Sequence, residues 1–463
     1  DSPRYSCLRS MGLGGRATAK GRSISMEEVR KHNNGVDDSW IVIHGKVYDI
    51  SRWAGESHPG GRTILTAAGD DATDSFTAFH PKSTWAMLER FYVGDVEGAK
   101  AKKDDFEAAY RRLRTEILRR GWDRASPAYY VWKTLSTLSI GALGAMVAVR
   151  ADGSSAWLAL SAVIIALFWQ QCGWLSHDYM HHQVFDNRWY GDLMSYLIGN
   201  VCQGFSVEWW KNKHNTHHAV PNMHESAPEA HDGDPDIDTM PVLAWSLKLA
   251  RKVQTAGAVG RFSVRNQSLL YFPILALARI SWLQQSFMYV WGEGGAWGEV
   301  KSFPLRHPVP EYTGLALYYA WYGCLMAATC SPLQALMYIL VSQCVCGVFL
   351  AIPFGVGHNG MATFDYDSKP DFATLQVLTT RNIEDDALGL TGWFCGGLHL
   401  QVEHHLFPAV PRHNLHKIRA LVEPLAKQHG VRYHSQSLWA GTWEVLAHLR
   451  QVTEDLVAEF PGL

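Results

Sequence analysis

Two hydrophobic patterns follow one another along the chain. Residues 40–50 read WIVIHGKVYDI, apolar at alternate positions, as in a strand with one buried face. Apolar runs then appear at about 131–149, 156–176, 269–291, 314–330 and 333–355, each approaching the roughly 20 residues that an α-helix needs to cross hydrocarbon. Lys100 to Arg124 is strongly charged with a helical period, which predicts a linker between the two regions. Residues 1–22 carry Arg4, Arg9, Arg16, Lys20 and Arg22 against Asp1 and have no signal-peptide core, so a disordered basic leader is expected there, a solvated tail or a transit remnant.

Histidines gather at the ends of the apolar runs. HDYMHH occupies 177–182, HNTHH 214–218 and QVEHH 401–405, and His358 follows the last run. In a helix His177 and His181 lie one turn apart, and His214, His217 and His218 share a face at i, i+3, i+4, as do Gln401, His404 and His405. One ion is satisfied by three or four protein ligands, so this many imidazoles predicts two metals. Imidazole suits zinc, copper, iron and nickel alike and does not name the element. His182 makes the first cluster ambiguous between i+4 and i+5 partners.

The three clusters can meet only if an even number of spans separates His218 from Gln401. Three apolar runs lie between them, and 269–291, which contains Arg279 and two glutamines, is assigned to the interface or a soluble cap. Four transmembrane helices in two hairpins remain. The far-side loops near 150–155 and 330–333 hold Arg150 as their only basic residue, so the positive-inside rule puts the clusters and both termini in the cytosol. PAVPRHNLHKI and the amphipathic stretch near 439–458 read as a cytosolic helical cap.

Composition adds little to this. Lys+Arg 42 against Asp+Glu 44 gives no basic excess for a nucleic-acid partner. Hydrophobic residues make up 47%, yet mean hydropathy is only −0.12, as for a membrane protein averaged with a soluble part. Eight scattered cysteines without a CxxC pair read as reduced thiols.

WIVIHGKVYDI, HPGG at 58–61, AGDDATDSFTAFH and FYVGDV resemble cytochrome b5. That resemblance implies an α+β haem domain over 23–98, with His58 and His80 as axial ligands of a haem b that moves electrons and does not bind oxygen. HDYMHH, WWKNKHNTHH, DPDIDT, HNGM and QVEHHLFPAVPRHN resemble the membrane fatty acyl desaturases, and Gln401 together with the b5 domain resembles the front-end subgroup. The resemblance implies two iron ions held by His177, His181 or His182, His214, His217, His218, His358, His404 and His405, with Gln401 at or beside the metal. It further implies an all-α membrane domain over 129–440 after a linker at 99–128, a C-terminal cytosolic helix at 441–463, and electrons from NADH through cytochrome b5 reductase.

The chemistry agrees with this ligand set. Removing hydrogen from an unactivated methylene needs an oxidant made from O₂, and a fused haem delivers electrons singly at high effective concentration. Asp178, inside the first cluster, is a candidate catalytic residue; Asp234, Asp236 and Asp238 either orient histidines or cap a turn. Lys211, Lys213, Arg412 and His413 either hold a head-group phosphate or express the positive-inside bias. The expected activity is Δ6 desaturation of polyunsaturated C18 chains on an acyl lipid or acyl-CoA in the endoplasmic reticulum, with a plastid membrane as the other location. Δ5 acyl or sphingolipid Δ8 desaturation, a b5-fused hydroxylase and a membrane-anchored electron carrier are the competing readings.

Overall fold

The computed structural model describes residues 22–98, 105–225, 233–292 and 305–462; the leader expected over 1–22 lies outside these apart from Arg22. The chain divides into two units, the first ending at Lys102 and the second holding the described residues from Asp105 onward.

In the first unit β1 (Ser23–Ile24), β2 (Asn33–Asn34), β3 (Asp38–Ile43), β4 (Lys46–Asp49) and β5 (Tyr92–Val96) form a sheet in the order β1-β5-β4-β3-β2. The alternating stretch at 40–50 is a hairpin and not a single strand: Trp40 stands opposite Asp49 and Ile43 opposite Lys46. His44 and Gly45 turn the chain with φ of 50° and 72°, the left-handed pair whose twist matches the flanking strands. Alternation survives the turn, so Ile41, Ile43, Tyr48 and Ile50 enter one core with Leu65 and Phe76. Trp40, Val42, Val47 and Val93 fill the opposite face.

In the second unit every apolar run is a helix: Pro127–Val149, Ser155–Met180, Gln267–Trp291, Pro308–Thr329 and Pro332–His358. The first, second and last are long and apolar enough to cross a membrane. Their starts are written locally. The Ser126 hydroxyl accepts from Tyr129 N–H at 3.4 Å ahead of Pro127, and Ser331 N–H donates to Gln334 Oε1 at 3.0 Å ahead of Pro332. The two hairpin tips meet, because Gln334 Nε2 donates to the Gly153 carbonyl at 2.7 Å and to Ser155 Oγ at 3.1 Å.

Gln267–Trp291 behaves differently. Gln267 Nε2 donates to the Leu449 carbonyl at 2.9 Å in the Leu438–Glu459 helix, while Tyr289 and Val290 pack with Trp209 and Trp210 of the helix carrying the second histidine cluster. Its first end therefore meets the Leu438–Glu459 helix, and its last end meets the helix that carries the second cluster. Its Arg279 is buried, with the guanidinium 4.2 Å from the Trp169 ring and one amino group donating to Tyr318 Oη at 3.1 Å and to the Gln203 carbonyl.

The stretch expected as a linker over 99–128 contains a helix, Phe106–Arg119, that belongs to the second unit. Phe106, Tyr110 and Ile117 form its apolar stripe and share a core with Val377, Leu406, Phe407 and Ile418; Tyr110 Oη donates to the Leu406 carbonyl at 2.9 Å. Charges on its outer face form i,i+4 pairs such as Glu116–Arg120 at 2.6 Å, which is why composition alone reads as a solvated connector.

Candidate haem crevice and metal centre

His58 follows the short helix Trp53–Glu56, and His80 ends the helix Thr73–Phe79. Their Nδ1 atoms lie 2.9 Å from the Gly61 carbonyl and 3.0 Å from the Phe76 carbonyl. With Nδ1–H committed to a carbonyl, Nε2 is the lone-pair nitrogen of each ring. Burial lowers the His58 pKa and keeps that ring neutral. The ring centroids stand 6.0 Å apart, about the spacing of two imidazoles on opposite sides of one iron with metal–nitrogen bonds near 2 Å. A Cβ on Gly60 would lie 2.8 Å from His58 Cε1, so HPGG needs glycine where the chain closes on the ring. These residues fit a bis-histidine haem. His58→Ala or His80→Ala is expected to abolish the b-type absorbance and turnover while iron in the second unit persists, because the haem residues lie in a separate unit; absorbance and iron analysis read the two centres independently.

The histidines of the second unit form two groups. His177, His181, His214, His218 and His404 make the first, and His217, His358 and His405 the second; within each, ligand nitrogens lie within 4.8 Å of one another. Nε2 of His218 stands 3.0 Å from Nε2 of His214 and 3.1 Å from Nε2 of His404. Two nitrogens at about 2.1 Å from one ion and at a right angle would be separated by nearly that distance. His177 Nε2, His181 Nε2 and His405 Nε2 are buried with no partner among the described residues. Burial and neighbouring imidazoles hold His214, His218, His404 and His405 well below the usual histidine range, so their lone pairs remain free. The donor set fits two metal ions.

Several neighbours aim these rings. Burial opposes the charged form of His217, but Asp234 and Asp236 outweigh it and raise its pKa. Asp234 Oδ2 lies 2.9 Å from His217 Nδ1 and accepts from Asn222 N–H at 2.7 Å. Both readings for DPDIDT hold at Asp234, whose Oδ1 also accepts from Asp236 N–H at 2.8 Å to cap the turn, and Asp238 is exposed. Gln376 joins the site although no sequence motif marks it: its Oε1 lies 2.9 Å from His405 Nδ1, and its Nε2 donates to the His218 carbonyl at 3.1 Å. Gln401 stands beside the three-histidine group, with its amide nitrogen 2.7 Å from His358 Nε2 and its Oε1 without a partner among the described residues.

Other expectations need correction. His182 lies outside both groups: the helix ends at Met180, and a φ of 56° at His182 carries the chain away from the cluster face, leaving its Nδ1 against Gly191. Asp178 sends one oxygen away from the histidines, to Arg412 Nε at 2.5 Å and Tyr130 Oη at 2.8 Å; its other oxygen is a distant 3.5 Å from His177 Nδ1. It ties the first cluster's helix to the chain beyond the third. Arg412 is buried in that pair and also donates to the Trp174 carbonyl, while Lys211 pairs with Asp192. His413 packs on Tyr129 with centroids 4.9 Å apart.

A candidate haem crevice in one unit, and in the other two buried histidine groups that draw His177, His181 and His358 from the ends of apolar helices, are features of a haem-containing, metal-dependent membrane oxidoreductase. The fatty acid desaturase family matches residues 154–437, and the cytochrome b5-like heme/steroid binding domain matches 25–97. The chain belongs to the fatty acid desaturase family, with a cytochrome b5 domain fused ahead of it. It is 39% identical over 435 residues to an acyl-lipid (9-3)-desaturase of Physcomitrium patens, covering 93% of this chain and 78% of that protein. It is 32% identical to Delta(8)-fatty-acid desaturase 2 of Arabidopsis thaliana, covering 92% of each, and 31% identical to the Delta(6)-fatty-acid desaturase fat-3 of Caenorhabditis elegans, covering 90% and 97%.

Proposed function

We propose that the chain is a Δ6 front-end desaturase that places a cis double bond between the carboxyl end and an existing double bond of polyunsaturated C18 acyl chains. The observation that carries this is the pair of buried histidine groups with Gln401 beside the smaller one. Two iron ions held there would supply the O₂ chemistry that takes hydrogen from an unactivated methylene. The five-histidine group would hold one ion, and His217, His358 and His405 the other, with Gln401 completing the smaller set. Asp234 and Gln376 keep His217 and His405 in the tautomer whose Nε2 faces inward. His58 and His80 would hold the haem that relays electrons from NADH through cytochrome b5 reductase.

Four spans in two hairpins, with Gln267–Trp291 at the interface, are supported by the meeting of the two hairpin tips and by the two ends of that helix. Phe106–Arg119 and Leu415–Gln428, which share one core, together with Leu438–Glu459 would then form the cytosolic cap at the endoplasmic reticulum membrane. Delta(8), Delta(6) and (9-3) relatives match over similar lengths, so regiochemistry is the point to test. Expression in yeast with defined fatty acids, followed by location of the new double bond, is expected to give Δ6 products; bonds at Δ5 or Δ8 would overturn the Δ6 assignment, and products heavier by one oxygen would overturn desaturation.

Gln401→Ala is expected to lower turnover per folded, haem-loaded molecule by roughly 10–100-fold, the usual loss when a group supporting a metal ligand is removed. Gln401→His is expected to retain part of it, since imidazole offers a donor in the same place. Near-normal turnover in the alanine variant would place Gln401 outside the working centre.

A further inference from the structure

We propose that a cation-lined cavity beside His358 receives a phosphate ester of the acyl carrier; the identity of that carrier rests on the acyl desaturase reading above. The cavity, about 220 Å³, is bounded by Gly360, Met361, Arg381, Arg432, His434 and Glu444. It adjoins the metal centre through the backbone: Arg381 N–H donates to the Gly357 carbonyl at 2.7 Å, and the position of Gly357's missing Cβ lies 3.3 Å from Gln401 Cγ.

The charges leave a positive excess. Glu444 is the one carboxylate on the wall among the described residues, and it is engaged by Arg381 Nη2 at 3.1 Å and His434 Nε2 at 2.8 Å. Arg432 is exposed and forms no ion pair among the described residues. Arg381 is buried; Nη1 donates to the Val356 carbonyl at 3.0 Å, but its Nε has no partner among the described residues. A buried donor left unmatched calls for an acceptor, and a guanidinium pair is suited to phosphate oxygens. Gly360 on the wall has a φ of +79°, the left-handed region that favours glycine, and a Cβ there would lie 3.3 Å from His448 Cβ.

The flank of the cavity fits the boundary of a bilayer. Trp439 and Trp443, one turn apart on the helix that supplies Glu444, are 71% and 55% exposed. Exposed Trp pairs settle where acyl chains meet head groups, the depth at which a carrier phosphate would lie. Lys211 and Arg412 pair with Asp192 and Asp178, away from this cavity's wall.

Phosphate esters come from two sources here, the phosphodiester of a phospholipid and the phosphates of coenzyme A. Calorimetric titration of the full-length holoenzyme in lipid nanodiscs, with glycerophosphocholine in one arm and coenzyme A in the other, tests the cavity and identifies the source. Binding of one probe is expected, weakened about tenfold in Arg432→Gln through loss of one charge-assisted contact, and not weakened in Glu444→Gln, which removes the competing carboxylate. Absence of heat with both probes, or binding untouched by Arg432→Gln, would overturn the proposal. Bound iron serves as the folding control for each variant. In turnover assays Arg432→Gln should raise KM for the matching acyl donor and leave kcat near the unsubstituted value. Should no acyl donor be desaturated while probe binding still follows Arg432, the cavity stands and the acyl reading falls; desaturation with probe binding indifferent to Arg432 leaves the acyl reading standing and removes the cavity.

Discussion

Replacing His404 with alanine is expected to abolish desaturation while leaving the haem spectrum unchanged. The His404 ring stands between clusters that are distant in sequence, with centroids 4.6 Å from His177, 4.9 Å from His181 and 4.7 Å from His218. Its removal takes away the third cluster's donor to the five-histidine group. The loss should exceed the roughly 10–100-fold expected for Asp234→Asn, which disturbs only the orientation of His217. His182→Ala is the control, since His182 lies outside both groups and should keep most of the activity. Turnover and bound iron, normalised to haem, rank the three variants; equal losses in His182→Ala and His404→Ala would refute the partition into these groups.

The second large effect is on stability. Asp178→Ala would leave the Arg412 guanidinium buried without its carboxylate and remove the partner of Tyr130 Oη. Breaking a buried ion pair from one side costs about 3–5 kcal/mol, whereas replacing both members with apolar residues of similar volume costs much less. Asp178→Ala should therefore lower the thermal midpoint and the bound iron together, and Asp178→Leu combined with Arg412→Met should recover much of the midpoint. A single variant as stable as the unsubstituted protein would show that the pair does not hold the first cluster's helix in place.

Legibility in the sequence depends on whether the signal is local. Helix ends at Ser126, Pro127, Ser331 and Pro332 are readable because capping acts within a few residues. Five apolar runs become five helices, and each histidine cluster keeps the helical face implied by its spacing. The His44–Gly45 turn escapes the pattern because alternation continues through a two-residue turn. The Phe106–Arg119 helix has the composition of a linker because its charges outnumber a three-position apolar stripe whose partners lie about 260 to 310 residues downstream.

The sequence by itself determined that a cytochrome b5-like part precedes a desaturase part and which short segments carry the histidines, because each of these is written as a short motif. Only the tertiary structure decided which histidine joins which group, that His182 belongs to neither, that Gln376 and Asp234 aim His405 and His217, and that Asp178 faces Arg412. These are contacts between segments from 17 to 234 residues apart. Periodicity names the face of a helix on which a residue lies; which element arrives opposite that face is settled by the packing of the whole unit.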